Sequence, residues 1–296
     1  MKISDKKVVY AVASDRCNNN CVFCTDFSSA DLRVGSAAVR KLDSRPGGRR
    51  IVFTAAEPTL NPKLFSLIGE AVSLGYSSVA VITNGRMLAY RGYCAGLLAS
   101  GVSEIIVSLH GAKPQIHDSV TGAVGSWAQT VGGLSNALAL RPPASKVEIS
   151  VNATVNALNL AHLADLKDYF LSLRGLKNIV FHGLLPIGRG RMNWRSLSVK
   201  YSQLVAALVP DSGPWPGNVR VWDVPLCVAT PRIPETACEF ALDKTEMIGA
   251  DGSFADIWSG KTRLAQCRAC SGVSVCGGVY SKYLKTYGAA EFYALK

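Results

Sequence analysis

Residues 8–24 read Val8-Val9-Tyr10-Ala11-Val12-Ala13-Ser14-Asp15-Arg16-Cys17-Asn18-Asn19-Asn20-Cys21-Val22-Phe23-Cys24. The first six form a short apolar run of the kind that makes a buried strand, and the polar residues after it end that strand. The strand therefore delivers three cysteines, spaced Cys-x3-Cys-x2-Cys, onto one loop. Three soft thiolates this close can hold three irons of a 4Fe-4S cluster and leave the fourth iron open for a ligand. A structural zinc site would need a fourth Cys or His at tetrahedral spacing, and after Cys24 none occurs until Cys94. Disulfides fit less well, because nine cysteines is an odd number and the polar start Met1 to Lys7 is no signal peptide.

Working outward, short β-branched runs recur at Val8–Ala13, Ile51–Thr54, Val79–Ile82, Glu104–Leu109, Val147–Val151 and Ile179–Leu185. Between them, Pro62–Leu74, Tyr90–Ser100, Ser126–Leu140 and Leu160–Leu173 carry apolar residues at helical spacing. Six strands alternating with helices predict an α/β chain with a parallel sheet, either an open doubly wound sheet or a partial barrel; periodicity does not separate the two. At 296 residues, 48% of them hydrophobic, the chain buries a full core. No uncharged apolar run reaches the ~18 residues of a membrane span. Free thiols without a secretion signal point to a reducing cytoplasm.

The cysteine spacing resembles the signature of the radical S-adenosylmethionine (radical SAM) enzymes. That resemblance implies a partial (βα)6 TIM-like barrel over residues 1–210, with its chemistry at the carboxyl ends of the strands. It further implies that the open iron binds the amino and carboxylate groups of SAM, and that the reduced cluster splits SAM to a 5′-deoxyadenosyl radical. Several strand ends are similar to family segments. Thr54-Ala55-Ala56-Glu57-Pro58 matches a Gly-Gly-Glu-Pro segment in which backbone and Glu receive the SAM amino group, although here both glycines are alanines. Thr83-Asn84-Gly85 follows the third strand, and Ser108 at the end of the fourth takes the ribose contact. Asn152 at the fifth strand, with Asn156 and Asn159 beyond it, offers amides to SAM or substrate. Leu185, opening Leu185-Pro186-Ile187-Gly188, belongs to a turn that lays backbone against adenine, and Phe23 before the last cysteine completes the cofactor-binding set. His110 reads as a hydrogen-bonded structural histidine ahead of a proton-transfer group, and His117 and Asp118 as helix caps. Arg189, Arg191 and Arg195 read as a solvated basic loop ahead of a grip on a substrate anion.

A second cysteine group, Cys267-x2-Cys270-x5-Cys276, lies near the carboxyl end, after Cys227 and Cys238. It resembles the core of the SPASM and shorter twitch extensions, which implies a small cluster-binding domain over residues 211–296 with one auxiliary 4Fe-4S cluster. Tyr280 stands where the full SPASM pattern has a further cysteine, so Cys227, slightly preferred for its neighbouring Pro225, or Cys238 completes the ligand set. A zinc knuckle is the alternative. Cys94 reads as a small core residue.

Only 16 residues precede Cys17, so a fused leader-peptide-binding domain is not expected and a peptide substrate would need a separate recognition protein or direct contact. The formal charge of +11 suits an acidic partner, and the family implies an electron donor such as flavodoxin or ferredoxin. Three functions follow: a radical SAM maturase of ribosomally made peptides, the same chemistry on a small metabolite, or a zinc-containing RNA-binding protein using Tyr280, Tyr283, Lys285 and Tyr287. The final hydrogen donor or acceptor is not assigned; Cys94, Tyr280 and the arginines are candidates.

Overall fold

A computed structural model describes residues 8–25, 42, 48–209, 214–239, 245–248, 254–255 and 260–296. Strands β1 (Val8–Val12), β2 (Arg50–Thr54), β3 (Ser78–Thr83), β4 (Glu104–Ser108), β5 (Glu148–Val155) and β6 (Leu176–Gly183) alternate with helices α1 (Leu64–Leu74), α2 (Arg91–Ala99), α3 (Pro114–Thr121), α4 (Ser126–Leu140) and α5 (Leu163–Ser172). After β6 come α6 (Gly188–Met192), α7 (Trp194–Leu197), α8 (Tyr201–Leu208), β7 (Val219–Trp222), α9 (Leu226–Ala229) and β8 (Cys238–Glu239). Strands β9 (Thr245–Ile248), β10 (Phe254–Ala255), β11 (Lys261–Thr262) and β12 (Val279–Tyr280), then α10 (Ser281–Tyr287), complete the described chain.

The main sheet runs β10-β9-β1-β2-β3-β4-β5-β6-β7-β8. Every pairing in it is parallel except β9 with β10. Sequential parallel strands with helices packed outside give the expected partial α/β barrel. The sheet is wider than the six predicted strands, because two-residue and four-residue strands carry too little pattern to be read as such. Pairing also continues across the expected boundary at 210/211: β7 joins β6 and β9 joins β1. The boundary residues themselves, like Met1 to Lys7, lie outside the described ones.

Two faces of the sheet do different work. Ile51, Phe53, Val79, Val81, Ile105, Val107, Val151, Ile179 and Phe181 turn outward into one core with Leu64, Leu97, Leu134 and Phe170 from the helices. Burying each such side chain is worth about 1.5–3 kcal/mol. Helix α1 shows the pattern: Leu64, Leu67, Ile68 and Ala71 fall on one buried stripe, and Gly75 at φ 84° ends the helix in a left-handed cap. The inner face mixes apolar residues such as Val52 and Ala80 with polar ones. Arg50 of β2 pairs with Glu104 of β4 at 2.5 Å, and Glu104 also accepts from Ser150 of β5 at 2.6 Å. This closes the amino end of the barrel with charge and leaves the carboxyl end for ligands. Among the described residues, no helix is long and apolar enough to cross a membrane.

Candidate functional site

The loop carrying Cys17, Cys21 and Cys24 sits at the carboxyl end of β1, held by four neighbouring loops. Glu57 N–H donates to Arg16 O at 2.9 Å, while Asn20 N–H and Val22 N–H donate to Thr121 O and Val120 O at 2.8 and 3.0 Å. Asn193 Nδ2 donates to Val22 O at 2.8 Å, and Arg189 N–H to Cys24 O at 2.8 Å. Cys17 is exposed, Cys21 and Cys24 are half-buried, and none of the three is in a disulfide. Burial pushes the Cys21 thiol up to about 12, with the neighbouring cysteines adding to the effect. Loading such a site with metal must therefore release protons. Asn19 N–H and Asn84 Nδ2 both point at Cys17 Sγ, at 3.4 and 3.9 Å. The donor set fits an iron-sulfur cluster: three soft sulfurs outside any disulfide on one braced loop, with amide donors aimed at Cys17 Sγ.

The strand ends converge on the same mouth. Ala55 and Ala56 both hold positive φ, 69° and 44°, the conformation that glycine takes without strain. The alanines thus occupy the backbone shape that the Gly-Gly resemblance implies. Glu57 is 1% exposed and turned inward. Its Oε1 accepts from Thr59 N–H at 3.0 Å, Thr59 Oγ1 at 2.5 Å and Thr83 Oγ1 at 2.6 Å; its Oε2 accepts from Asn84 N–H at 2.6 Å. Within the protein, then, Glu57 is the strap that fixes the β3 turn. Asn84 in turn donates to Asn18 Oδ1 at 2.6 Å, joining that turn to the cysteine loop. Gly85, at φ 77°, admits no side chain, since a Cβ there would lie 2.7 Å from Val107 Cγ1.

Ser108 and Asn152 are register partners on β4 and β5, both half-buried on the inner face. Asn152 Oδ1 is buried with no hydrogen-bond partner, so a donor from a bound molecule would remove a real cost. Thr154, His182 and Trp222 continue this row across β5, β6 and β7. His182 Nδ1 is also buried and unpartnered, and burial pushes the ring down to about 4, so it is neutral near pH 7. The sequence reading missed this histidine; its place inside a strand-like run was the only signal. Leu185 packs partly buried against the core, and its carbonyl would lie 2.4 Å from a Cβ on Gly190, so the turn after β6 is closely folded.

Other expectations need correction. Asn156 and Asn159 are 0% and 1% exposed and serve the backbone instead of a ligand: Asn159 Nδ2 donates to His110 O and Thr154 O at 3.0 and 2.9 Å. His117 does not cap a helix. It is buried within α3, stacked 5.7 Å from His110, whose N–H donates to its Nδ1 at 3.0 Å. Asp118 caps the following helix, α4, accepting from Trp127 N–H at 2.8 Å. His110 is the structural histidine expected: its Nδ1 accepts from Thr154 N–H at 3.2 Å, and its ring packs edge-to-face with Phe23, ring centroids 4.9 Å apart. Arg189 belongs to neither a solvated loop nor a substrate grip, because it is bonded to the cysteine loop. Cys94 is fully buried in the core, as read.

Toward the carboxyl end, Cys227, Cys267, Cys270 and Cys276 line one cavity with Pro225, Phe292 and Tyr293. Cys238 is absent from that lining, buried at 2% exposure with Sγ 3.7 Å from Pro234 O. Of the two candidates to complete this group, the fold brings Cys227. Among the described residues, no three His, Cys, Asp or Glu side chains stand close enough to hold a single metal ion. Tyr280 and Tyr283 are 2% and 1% exposed. Tyr280 donates to Asp223 Oδ2 at 2.9 Å, and Tyr283 stacks on Tyr201 at 4.2 Å. They hold α10 to the barrel and present no stacking platform for RNA bases, which removes the basis of the RNA-binding reading.

A partial barrel whose first strand feeds a three-cysteine loop defines a class, and the sequence agrees with it. Residues 12–166 match the Radical SAM superfamily, and the chain belongs to that superfamily. It is 27% identical over 180 residues to an AdoMet-dependent heme synthase from Methanosarcina barkeri, covering 59% of this chain and 49% of that protein. It is 27% identical over 182 residues to a probable GTP 3′,8-cyclase from Sulfurisphaera tokodaii, covering 59% of this chain and 55% of the relative. The chain thus spans about half the length of these two relatives. Similarity to the mycofactocin maturase MftC of Mycobacterium ulcerans, also 27% identical, runs over 94% of this chain and 81% of that protein. The fold matches Streptococcus suis SuiB, solved with S-adenosylmethionine, at a TM-score of 0.59 and 12% identity, over 98% of this chain and 74% of SuiB.

Proposed function

We propose that this enzyme is a peptide maturase that uses one radical SAM cluster and one auxiliary 4Fe-4S cluster of the SPASM/twitch type to act on a residue of a ribosomally made peptide. The observation that carries the reading is the four-thiol cavity formed by Cys227, Cys267, Cys270 and Cys276. It brings four soft thiol ligands to one cavity, the number that a 4Fe-4S cluster takes. Similarity to the mycofactocin maturase MftC over nearly the whole chain supports a maturase reading.

Loaded with a 4Fe-4S cluster and SAM, the site would supply radical hydrogen abstraction from the substrate. The chain's own residues position and shield. Cys17, Cys21 and Cys24 hold the cluster; Ala55, Ala56 and Glu57 shape the turn beside it; Ser108, Asn152 and Leu185 line the site for the nucleoside end. The mouth must hold the target hydrogen close and exclude water. His182, neutral, and Trp222 extend that wall and charge it little. A cytoplasmic flavodoxin or ferredoxin supplies electrons, and a separate recognition protein or direct contact brings the peptide to a chain of charge +11. The second reading, a small-molecule substrate, is favoured by the heme synthase and cyclase relatives.

The test is iron and sulfide per chain after anaerobic reconstitution. About eight irons in the wild type, about four in the Cys17/Cys21/Cys24 triple alanine variant with 5′-deoxyadenosine lost, and about four in Cys227→Ala but not Cys238→Ala are expected from 4Fe-4S stoichiometry. Zinc in place of iron, with no nucleoside formed, overturns the reading. Mass spectrometry of a short peptide encoded beside the gene separates peptide from metabolite: a loss of hydrogen or a new cross-link supports the maturase.

A further inference from the structure

We propose that Arg86 and Arg189 are a pair of positioning residues that clamp the three-cysteine loop from two separate strand ends and hold positive charge against the cluster bound there. The proposal rests on the radical SAM reading of that loop. Arg86 follows β3 and Arg189 follows β6, two and five strands along the sheet from the loop's own strand. Arg86 Nη1 donates to Asn18 O and to Asn19 Oδ1, the latter at 2.9 Å, while its Nε is braced on Gln129 Oε1 at 2.6 Å. Arg189 Nη1 donates to Asn20 Oδ1, to Asn20 O at 3.2 Å and, more weakly, to Cys21 O at 3.5 Å. Between them, two guanidinium groups bond at least one oxygen of each of the three asparagines separating Cys17 from Cys21.

The approach of Arg189 is built into the fold. Gly188 sits at φ 53°, and a Cβ there would lie 2.5 Å from Thr25 O and 2.7 Å from Cys24 O. Only glycine lets α6 press against the loop, and the Arg189 N–H bond to Cys24 O follows from that contact. A loop of consecutive asparagines has no apolar anchor of its own, so its shape must be imposed from outside. An arginine suits this because its planar fork bonds several oxygens at once and it never loses its charge. Charges and hydrogen bonds around an iron-sulfur cluster set its potential, and two fixed cations favour the more negative, reduced form.

Full-length protein, anaerobically reconstituted, is compared as wild type, Arg86→Gln, Arg189→Gln, Arg86→Lys and Arg189→Lys. Two quantities are read: the rate at which a chelator removes iron, and the midpoint potential of the EPR signal that changes when SAM is added. Each Gln variant should lose iron about ten- to a hundredfold faster, the usual cost of removing an outer partner of a metal ligand, and its potential should move to more negative values. Each Lys variant keeps the charge and loses the fork, so its potential should stay near wild type while its iron is still lost faster. A purely structural role would move retention alone and would not separate Gln from Lys in potential. Gln variants that match wild type in both quantities overturn the clamp. If a Gln variant melts before wild type in its metal-free form, the Lys variant carries the comparison, and iron retained as in wild type overturns the proposal. A wild type that binds no iron overturns the radical reading and the clamp with it.

Discussion

Replacing Glu57 by Gln separates two roles for one carboxylate. The side chain is 1% exposed and accepts four hydrogen bonds from the protein itself, two of them from backbone N–H groups: Thr59 at one oxygen and Asn84 at the other. A carboxamide has one oxygen. If its NH2 group takes the Oε2 position, it faces the Asn84 N–H; if it takes the Oε1 position, the Thr59 and Thr83 hydroxyls can turn to accept, but the Thr59 N–H still faces a donor. Either way one buried backbone donor loses its acceptor and a charge-assisted bond is lost, a cost of about 3 kcal/mol. Because Asn84 reaches Asn18 Oδ1 at 2.6 Å, the cysteine loop should loosen as well. The assay is urea unfolding of metal-free, SAM-free protein, which excludes any contribution from ligand binding. A Glu57→Gln variant as stable as wild type, with only SAM affinity reduced, would refute the strap and leave the carboxylate as a simple ligand for the SAM amino group.

The exposed Ala56, at φ 44°, should gain about 1 kcal/mol of stability on replacement by Gly, measured by the same unfolding assay, because the strain removed exceeds the extra entropy of the unfolded chain. Ala55→Gly should gain less, since it also removes a buried methyl worth about 0.8 kcal/mol; destabilisation at Ala56 would contradict the strain argument. Burial pushes His117 down from 6.5 to about 4, so the unfolded chain takes up the proton first. Its contribution to stability is complete above pH 6.5 and is lost as pH falls toward 4, about 2 kcal/mol of it between pH 6.5 and 5. His117→Asn should flatten that part of the pH profile of unfolding, and an unchanged slope would show that the ring is not held neutral.

The sequence by itself determined the six central strands, four of the five helices between them, and the chemistry of the cysteine loop, because each is written in local terms. A buried parallel strand must be apolar along its length, an outer helix must repeat at 3.6 residues, and ligands on one loop must be near in sequence. Cys17, Cys21 and Cys24 could therefore be read directly. The alanines at 55 and 56 were legible as a departure from Gly-Gly, but not as residues that still take up the glycine backbone shape.

Only the tertiary structure decided which distant residues meet. Cys227 joins Cys267, Cys270 and Cys276 around one cavity while Cys238 does not, a choice that depends on where α9 packs and leaves no mark in spacing. Arg86 drew no reading from the sequence and Arg189 was read as part of a solvated basic loop, 103 positions away; the sheet order puts both on the same loop. Asn156, Asn159, Tyr280 and Tyr283 looked available for ligands because polar and aromatic side chains serve structure and binding equally well, and burial alone tells the uses apart. Periodicity reports which way a side chain faces along its own element. What it meets there is set by the packing of elements remote in sequence, and no local pattern encodes that.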